Sequence, residues 1–128
     1  MTRINVVPPK ELSRQHLIAE YRELPRVFGL VKASQGKGHT PETLHDKIPP
    51  QYTLGKGHVL FFFNKLAWLE KRYNALVREM ICRGYNVRYS YPPTAGIRKE
   101  WFGDYRATRT ALYINRQRIK ERTKPNDP

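Results

Sequence analysis

Residues 15–29 bring together the side chains of this chain that could do chemistry. On a helical wheel of 100° per residue, two carboxylates and a histidine share one side, and two arginines continue around the cylinder from them. These residues are His16, Glu20, Arg22, Glu23 and Arg26. A carboxylate can take up a proton or stabilise a positive charge, and a guanidinium group binds phosphate or carboxylate. The surface therefore combines a candidate base with candidate anion-binding groups.

The helix that carries this surface is predicted from an apolar stripe about 80° wide, as expected of a face that packs on a core. The stripe consists of Leu17, Tyr21, Leu24, Phe28 and Val31. Pro25 falls inside the predicted helix, where its missing N–H and its ring cost about 3 kcal/mol and impose a kink. The alternative is a solvated face whose charges pair with one another. A kink beside a charge cluster favours a functional site.

The charge balance points to a polyanionic partner. The 128 residues include 24 Lys and Arg against 11 Asp and Glu, a formal net charge of +13 at pH 7. Nucleic acid is the first candidate. An anionic membrane is the alternative, but no apolar run reaches the roughly 18 residues of a membrane span, and no secretory signal is visible. Because Cys82 is the single cysteine, an internal disulfide and a cysteine zinc site are excluded, and we expect a cytoplasmic protein.

We expect residues 1–128 to form one compact, all-α domain with three main helices and long irregular loops. Two prolines make residues 1–10 unsuitable for a helix, so they are predicted to form an extended arm. Ile4, Val6 and Val7 are its candidate contacts with the core.

The second helix is predicted over residues 58–83. The alternative is that residues 59–63 form a strand-like apolar segment that leads into the helix. The third is predicted over about 107–122, where Arg118 and Arg122 continue its inward-facing stripe. Arginines in line with a buried face favour a positive pocket floor or a phosphate clamp, and a solvated face is the alternative. Residues 124–128 form a short tail.

The start of the chain offers a second reactive group. Because Thr2 is small, we expect the initiating methionine to be removed, which leaves Thr2 with a free α-amine. Such an amine has a reference pKa of about 7.7 to 8.0, against about 10.4 for lysine, so it is far more often neutral and nucleophilic near pH 7. Nearby Arg3, Arg22 and Arg26 lower this pKa further, because like charges disfavour the ammonium form.

These candidate groups belong to a longer set of motifs. The N-terminal ones are Thr2-Arg3-Ile4-Asn5, Gln15-His16-Leu17 and Ala19-Glu20-Tyr21-Arg22-Glu23-Leu24-Pro25-Arg26-Val27-Phe28-Gly29. The later ones are Leu54-Gly55-Lys56-Gly57-His58-Val59, Phe61-Phe62-Phe63-Asn64-Lys65-Leu66, Arg83-Gly84-Tyr85-Asn86-Val87 and Gly103-Asp104-Tyr105. In these motifs, over about residues 2–123, the chain resembles the pyrimidine-dimer DNA glycosylase/AP lyase family first known from phage.

The resemblance implies a DNA repair enzyme that excises ultraviolet-damaged pyrimidines. In that family the N-terminal amine attacks the sugar C1′, the base leaves, an imine forms, and β-elimination cuts the strand. Thr2 matches the nucleophile. Glu23 matches the carboxylate, which would stabilise an oxocarbenium-like state and then take the C2′ proton.

Seven further residues are expected to bind the substrate or the DNA, with Glu20 in a supporting position. They are Arg3, His16, Glu20, Arg22, Arg26, Arg118 and Arg122. The histidines show no metal-ligand spacing, so we expect neither a metal nor another cofactor. The expected partner is double-stranded DNA containing damaged pyrimidines or abasic sites, bound by a monomer.

One departure from the family concerns the choice of lesion. Better-known members end in a tail rich in tryptophan and tyrosine that helps to recognise the lesion, whereas this chain stops at residues 124–128. That role could pass to Tyr89, Tyr91 or Trp101, or the enzyme could favour abasic sites or oxidised bases. Two other classes stay open: a non-catalytic basic DNA-binding module and a metal-dependent nuclease.

Overall fold

The chain folds into helices joined by irregular loops, and its structure, a computed structural model, describes residues 2–123. The α-helices are α1 (Arg14–Glu23), α2 (Pro25–Gly36), α3 (Leu66–Cys82) and α4 (Arg109–Arg122), with short 3-10 helices at Pro9–Glu11, Leu60–Phe62 and Lys99–Trp101. No β-strand occurs in this part of the chain. The predicted all-α fold with three main helical regions is confirmed. Met1, with its predicted removal, and the tail at 124–128 lie outside the described residues.

The prediction of one continuous helix over 15–29 is wrong at Pro25. This proline occupies the first position of α2, where a missing N–H costs no helical hydrogen bond. Leu24 joins the two helices with helical backbone angles, and its N–H bonds to the Glu20 carbonyl at 2.8 Å. The proline therefore ends one helix and begins the next, which places Glu23 at the C-terminal end of α1.

The strand-like alternative for residues 59–63 is wrong as well. The segment contains the 3-10 helix Leu60–Phe62, and α3 begins at Leu66. Phe61 and Phe62 are buried, with relative exposures of 1% and 0%. A short, continuous apolar run has no period that could distinguish a strand from a helical turn.

The carbonyl of Gly103 accepts hydrogen bonds from the first turn of α3, which lacks a side-chain cap. The amides of Ala67 and Trp68 donate to it at 3.1 and 3.4 Å. A Cβ at position 103 would overlap the carbonyl oxygen of Asn64. Close approach of two backbones thus requires glycine here.

The core lies between the arm, α1 and α3. Every residue of the predicted stripe on α1 and α2 is buried, and Ile4, Val6 and Val7 of the arm are at most 7% exposed, as predicted. The rings of Tyr21 on α1 and Tyr73 on α3 stack at 5.5 Å. No helix within residues 2–123 is long and apolar enough to cross a membrane.

Candidate active site

The N-terminal arm is held in place through its backbone. The N–H of Ile4 donates to Nε2 of His58 at 2.8 Å, and its carbonyl accepts from the Tyr52 hydroxyl at 2.9 Å. Because Nε2 accepts a hydrogen bond, the proton of the imidazole is on Nδ1, which donates to the Thr53 carbonyl at 2.7 Å. Burial lowers the pKa of His58 and so favours this neutral form.

A second anchor of the arm comes from α4. The side chain of Asn115 is fully buried, and its Oδ1 accepts from the amides of Val6 and Val7 at 2.7 and 3.1 Å. Its Nδ2 donates to Oδ1 of Asn5 at 2.8 Å. The last described helix therefore fixes the first residues of the chain.

A buried ion pair joins the arm to α1 and α3. Both oxygens of Glu20, 1% exposed, accept from the guanidinium of Arg72, at 2.7 and 2.9 Å. Nδ2 of Asn5 donates to Glu20 at 2.8 Å, and Arg72 also donates to the Val7 carbonyl. Glu20 thus lies in the interior, where its hydrogen bonds with Arg72 and Asn5 hold the arm against α1 and α3.

These contacts bring the start of the chain to Glu23. The N–H of Arg3 donates to Oε1 of Glu23 at 3.1 Å. Since consecutive backbone nitrogens are less than about 4 Å apart, the nitrogen of Thr2 lies within about 7 Å of this oxygen. Both Thr2 and Glu23 are half-buried. No lysine or arginine among residues 2–123 forms an ion pair with Glu23.

A small cavity of about 130 Å³ opens at this point. Four of the predicted site residues line it: Arg3, His16, Glu20 and Glu23. Asn5, Ala19 and Ile119 complete the lining. Burial lowers the pKa of Arg3, and the positive charges of Arg118 and Arg122 lower it further. The predicted arginines of α4 therefore lie close to the start of the chain.

Arg118 is half-buried, and its Nε is inaccessible to solvent without a hydrogen-bond partner among the described residues. Arg122 is exposed. Neither forms an ion pair in this part of the chain. The cavity thus has Glu23 and Arg3 in its lining, and the two arginines of α4 that act on Arg3 have no ion-pair partner among the described residues. Guanidinium groups without such a partner can bind an anionic ligand.

A larger cavity of about 740 Å³ lies beside α1 and includes Arg22 in its lining. Aromatic side chains form much of its wall: Tyr21, Tyr73, Tyr85 and Tyr89. Arg26 is exposed at the start of α2 and lines neither cavity. Of the nine predicted site residues, four line the smaller cavity and Arg22 lines the larger one. The other four line neither cavity; they are Thr2, Arg26, Arg118 and Arg122.

The fold and the site together define a basic, all-helical domain that presents a carboxylate near arginines. A sequence model of the family described as pyrimidine dimer DNA glycosylase matches residues 1–92. The match covers the arm, α1, α2 and α3 but not α4. The chain belongs to the pyrimidine dimer DNA glycosylase family. Membership implies an enzyme of DNA repair, a glycosylase that acts on DNA containing pyrimidine dimers.

Sequence reasoning missed the residues that anchor the arm. Arg72 has a recognisable signal, because it occurs inside the apolar stripe of α3, where a charge needs a buried partner. Asn115 has a similar signal, because it follows buried Ala111 by four residues and so lies on the same face of α4. His58 has no such signal, since its partner is a backbone amide 54 residues earlier.

The suggestion that Trp101 could contact a lesion is wrong, because its side chain is 0% exposed. Tyr89 and Tyr91 remain accessible, at 64% and 83% exposure. Among the described residues, no group of three or more His, Cys, Asp or Glu side chains could hold a metal ion.

Proposed function

We propose that the chain is a bifunctional DNA glycosylase and AP lyase in which the α-amine of Thr2 is the nucleophile and Glu23 the assisting carboxylate. The observation that carries the proposal is the hydrogen bond from the Arg3 amide to Glu23 at 3.1 Å. This bond places Thr2, which would hold the amine after removal of the methionine, close to Glu23. Glu23 has no ion-pair partner among the described residues.

In the first step the neutral amine attacks the sugar C1′ as the bond from C1′ to the pyrimidine nitrogen breaks. The base leaves with the bonding electrons. Positive charge develops at C1′ and the ring oxygen, where the Glu23 carboxylate stabilises it. The nitrogen then loses a proton, and its lone pair forms a double bond to C1′ as the bond from C1′ to the ring oxygen breaks. The ring oxygen takes up a proton, and the product is an open sugar joined to the protein as a protonated imine.

In the second step Glu23 takes a proton from C2′. The electrons of that C–H bond form a double bond to C3′, and the 3′ phosphate leaves and cuts the strand. Water then hydrolyses the imine and restores the amine. One carboxylate thus serves both steps in turn, first as a counter-charge and then as a base.

The positive charges near Thr2 support the neutral form of the amine. Arg3 follows it directly, and the fields of Arg118 and Arg122 reach Arg3. Like charges disfavour the ammonium form of an amine. The same arginines, with Arg22 and Arg26, would bind the phosphates of double-stranded DNA.

The reaction requires a nucleotide to be displaced or the duplex to be sharply kinked so that C1′ can reach the amine. A damaged pyrimidine or an abasic site pairs weakly, which lowers the cost of a few kcal/mol for this displacement. The 740 Å³ cavity beside Arg22 has the aromatic walls that accommodate a nucleobase. We propose that the protein acts as a cytoplasmic monomer on such duplexes, without a metal or another cofactor.

Borohydride trapping on ultraviolet-irradiated and abasic duplexes tests the proposal. Reduction of the imine should join the protein covalently to DNA, and peptide mapping should locate the adduct at Thr2. Glu23→Gln should lower the single-turnover rate about 100- to 10,000-fold. Glu42→Gln, in an exposed loop, is the matched control and should react like the parent protein.

The outcomes separate the other classes of function. A non-catalytic DNA-binding module would bind these duplexes without forming an adduct. A metal-dependent nuclease would lose its activity in a chelator. Trapping on abasic or oxidised duplexes alone would retain the amine chemistry but reassign the lesion, and an adduct at a lysine would overturn the role of Thr2.

A further inference from the structure

The motif Leu54-Gly55-Lys56-Gly57-His58-Val59 has no part in the proposed reaction steps, yet it delivers a buried imidazole to the N-terminal arm. Gly57 has a φ of +87°, which residues with a side chain rarely adopt. The amide of His58 donates to the Gly55 carbonyl at 3.1 Å. This tight turn brings the His58 ring against the carbonyl of Thr53, in the interior of the protein, where His58 is 4% exposed.

The loop over residues 52–58 holds Ile4 of the arm from both sides. Nε2 of His58 accepts from the Ile4 N–H at 2.8 Å, and the Tyr52 hydroxyl donates to the Ile4 carbonyl at 2.9 Å. The rings of Tyr52 and Phe62 meet the imidazole at angles of 80° and 82°, with centroids 5.5 and 5.8 Å away. These rings hold the imidazole in the orientation in which Nε2 faces a backbone amide two residues after Thr2.

The hydrogen bond from Ile4 to His58 exists only when the imidazole is neutral. The Ile4 N–H is a donor, and a protonated imidazole has no acceptor. A proton on Nε2 would therefore place two donors against each other, and it would also put a positive charge in the interior, which costs free energy. Proton uptake by His58 thus breaks this contact with the arm.

The surroundings of His58 favour the neutral ring. Burial lowers the pKa of His58, and the hydrogen bond to the Thr53 carbonyl opposes this effect. The charged groups that act on the ring are Arg3 on the arm, Glu20 on α1 and Arg118 on α4. The two arginines lower this pKa further, and the glutamate raises it. The Tyr52 hydroxyl stays a neutral donor, because burial raises its pKa.

We propose that His58 is a positioning residue for the α-amine of Thr2, because its neutral imidazole holds the arm in the place that brings the amine beside Glu23. The proposal rests on the proposed function, since only a reacting amine requires that position. A displacement of about 1 Å at a reacting centre can cost about 100-fold in rate. His58 acts through the arm rather than on the substrate.

Single-turnover cleavage of an abasic duplex tests the proposal, because an abasic site needs no departure of a base. The protein is used in saturating excess, so that a change in affinity does not alter the rate, which is measured at about pH 7.5 and 5.5. His58→Gln keeps an acceptor that does not titrate, and His58→Phe keeps a ring but no acceptor. His45→Gln, in an exposed loop, is the matched control and should react like the parent protein at both pH values.

At about pH 7.5 we expect His58→Gln to retain most of the parent rate and His58→Phe to lose about 10- to 100-fold. Between about pH 7.5 and 5.5 the parent protein should lose about 10-fold more rate than His58→Gln. The reason is that His58 has its ordinary pKa of 6.5 when the arm is released, so protons favour release about 10-fold at one pH unit below that value. Protonation of the amine slows both proteins alike, and melting temperatures at both pH values verify that each variant folds.

NMR titration of the parent protein gives a second measurement that needs no variant. The resonance of the Ile4 amide should shift together with the His58 ring, with one common midpoint below pH 6.5, because the two groups share a hydrogen bond. An exposed ring such as His45 should titrate without moving the Ile4 amide.

Three results would each overturn the proposal. They are equal pH dependences of the parent and His58→Gln, a folded His58→Phe that reacts at the parent rate, and an Ile4 amide that does not follow the His58 ring. Failure of the parent protein to form a borohydride adduct on both abasic and ultraviolet-irradiated duplexes would instead overturn the proposed function.

Discussion

Replacement of Asn115 by leucine should both destabilise the fold and release the arm. The substitution removes three hydrogen bonds, from the amides of Val6 and Val7 at 2.7 and 3.1 Å and to Oδ1 of Asn5 at 2.8 Å. All three partners are at most 7% exposed. A buried polar group that loses its partner costs about 1–3 kcal/mol. With partial relaxation we expect the free energy of unfolding to fall by about 3–5 kcal/mol, a large share of the stability of a small domain.

The assay combines equilibrium unfolding in urea with amide hydrogen exchange. Under conditions in which the variant remains folded, the amides of Val6 and Val7 should exchange much faster than those of α3. Imine trapping should slow accordingly, because the arm no longer holds Thr2 near Glu23. Gln117→Leu, exposed on the same helix, is the control. The reasoning would be refuted if the free energy of unfolding fell by less than about 1 kcal/mol and the exchange of the Val6 and Val7 amides did not change. Buried polar groups that lose their hydrogen-bond partner should cost more than that.

Two further predictions concern stability. Burial lowers the folded-state pKa of His58 below its ordinary value of 6.5. As the pH falls below about 6.5, the unfolded chain therefore binds a proton at His58 before the folded protein does, and the free energy of unfolding declines. Above about pH 6.5 the ring is neutral in both states, and its contribution to stability is complete. Urea unfolding measured between about pH 7.5 and 5.5 should therefore show that the free energy of unfolding declines more steeply with falling pH in the parent protein than in His58→Gln. Equal pH dependences of the two proteins would contradict this prediction. Gly103→Ala should lower the free energy of unfolding by about 1–3 kcal/mol, because its Cβ would overlap the Asn64 carbonyl; an unchanged melting temperature would show that the two backbones can separate freely.

The sequence was sufficient for features that depend on local periodicity. A residue that recurs every three or four positions must face the same side of a helix, so burial of Leu17 or Phe28 follows from spacing alone. The expectation that the start of the chain lies beside Glu23 came from the family resemblance and not from the spacing of residues. Pro25 was correctly expected to disturb the helix, but the sequence does not say whether it kinks one helix or begins a second. At the first position of a helix its missing N–H costs no helical hydrogen bond, so this position costs less free energy than a kink.

Contacts across the chain were not predictable in this way. The bond between Asn115 and Val6 joins residues 109 positions apart, and no local pattern specifies such a partner. Arg72 illustrates the intermediate case, since its place in an apolar stripe requires a buried counter-charge but does not say that Glu20 provides it. The polar interior of this domain therefore emerges only from its tertiary structure.

The dependence of the arm on α4 has a consequence during synthesis. The first residues leave the ribosome at the beginning, but Asn115 follows more than a hundred residues later, which at about 5–20 residues per second means a delay of roughly 5–20 s. Throughout that interval the arm can bind to His58 and Arg72 but lacks the hydrogen bonds from Asn115 to the amides of Val6 and Val7. The arm therefore acquires its last anchor much later than its first ones.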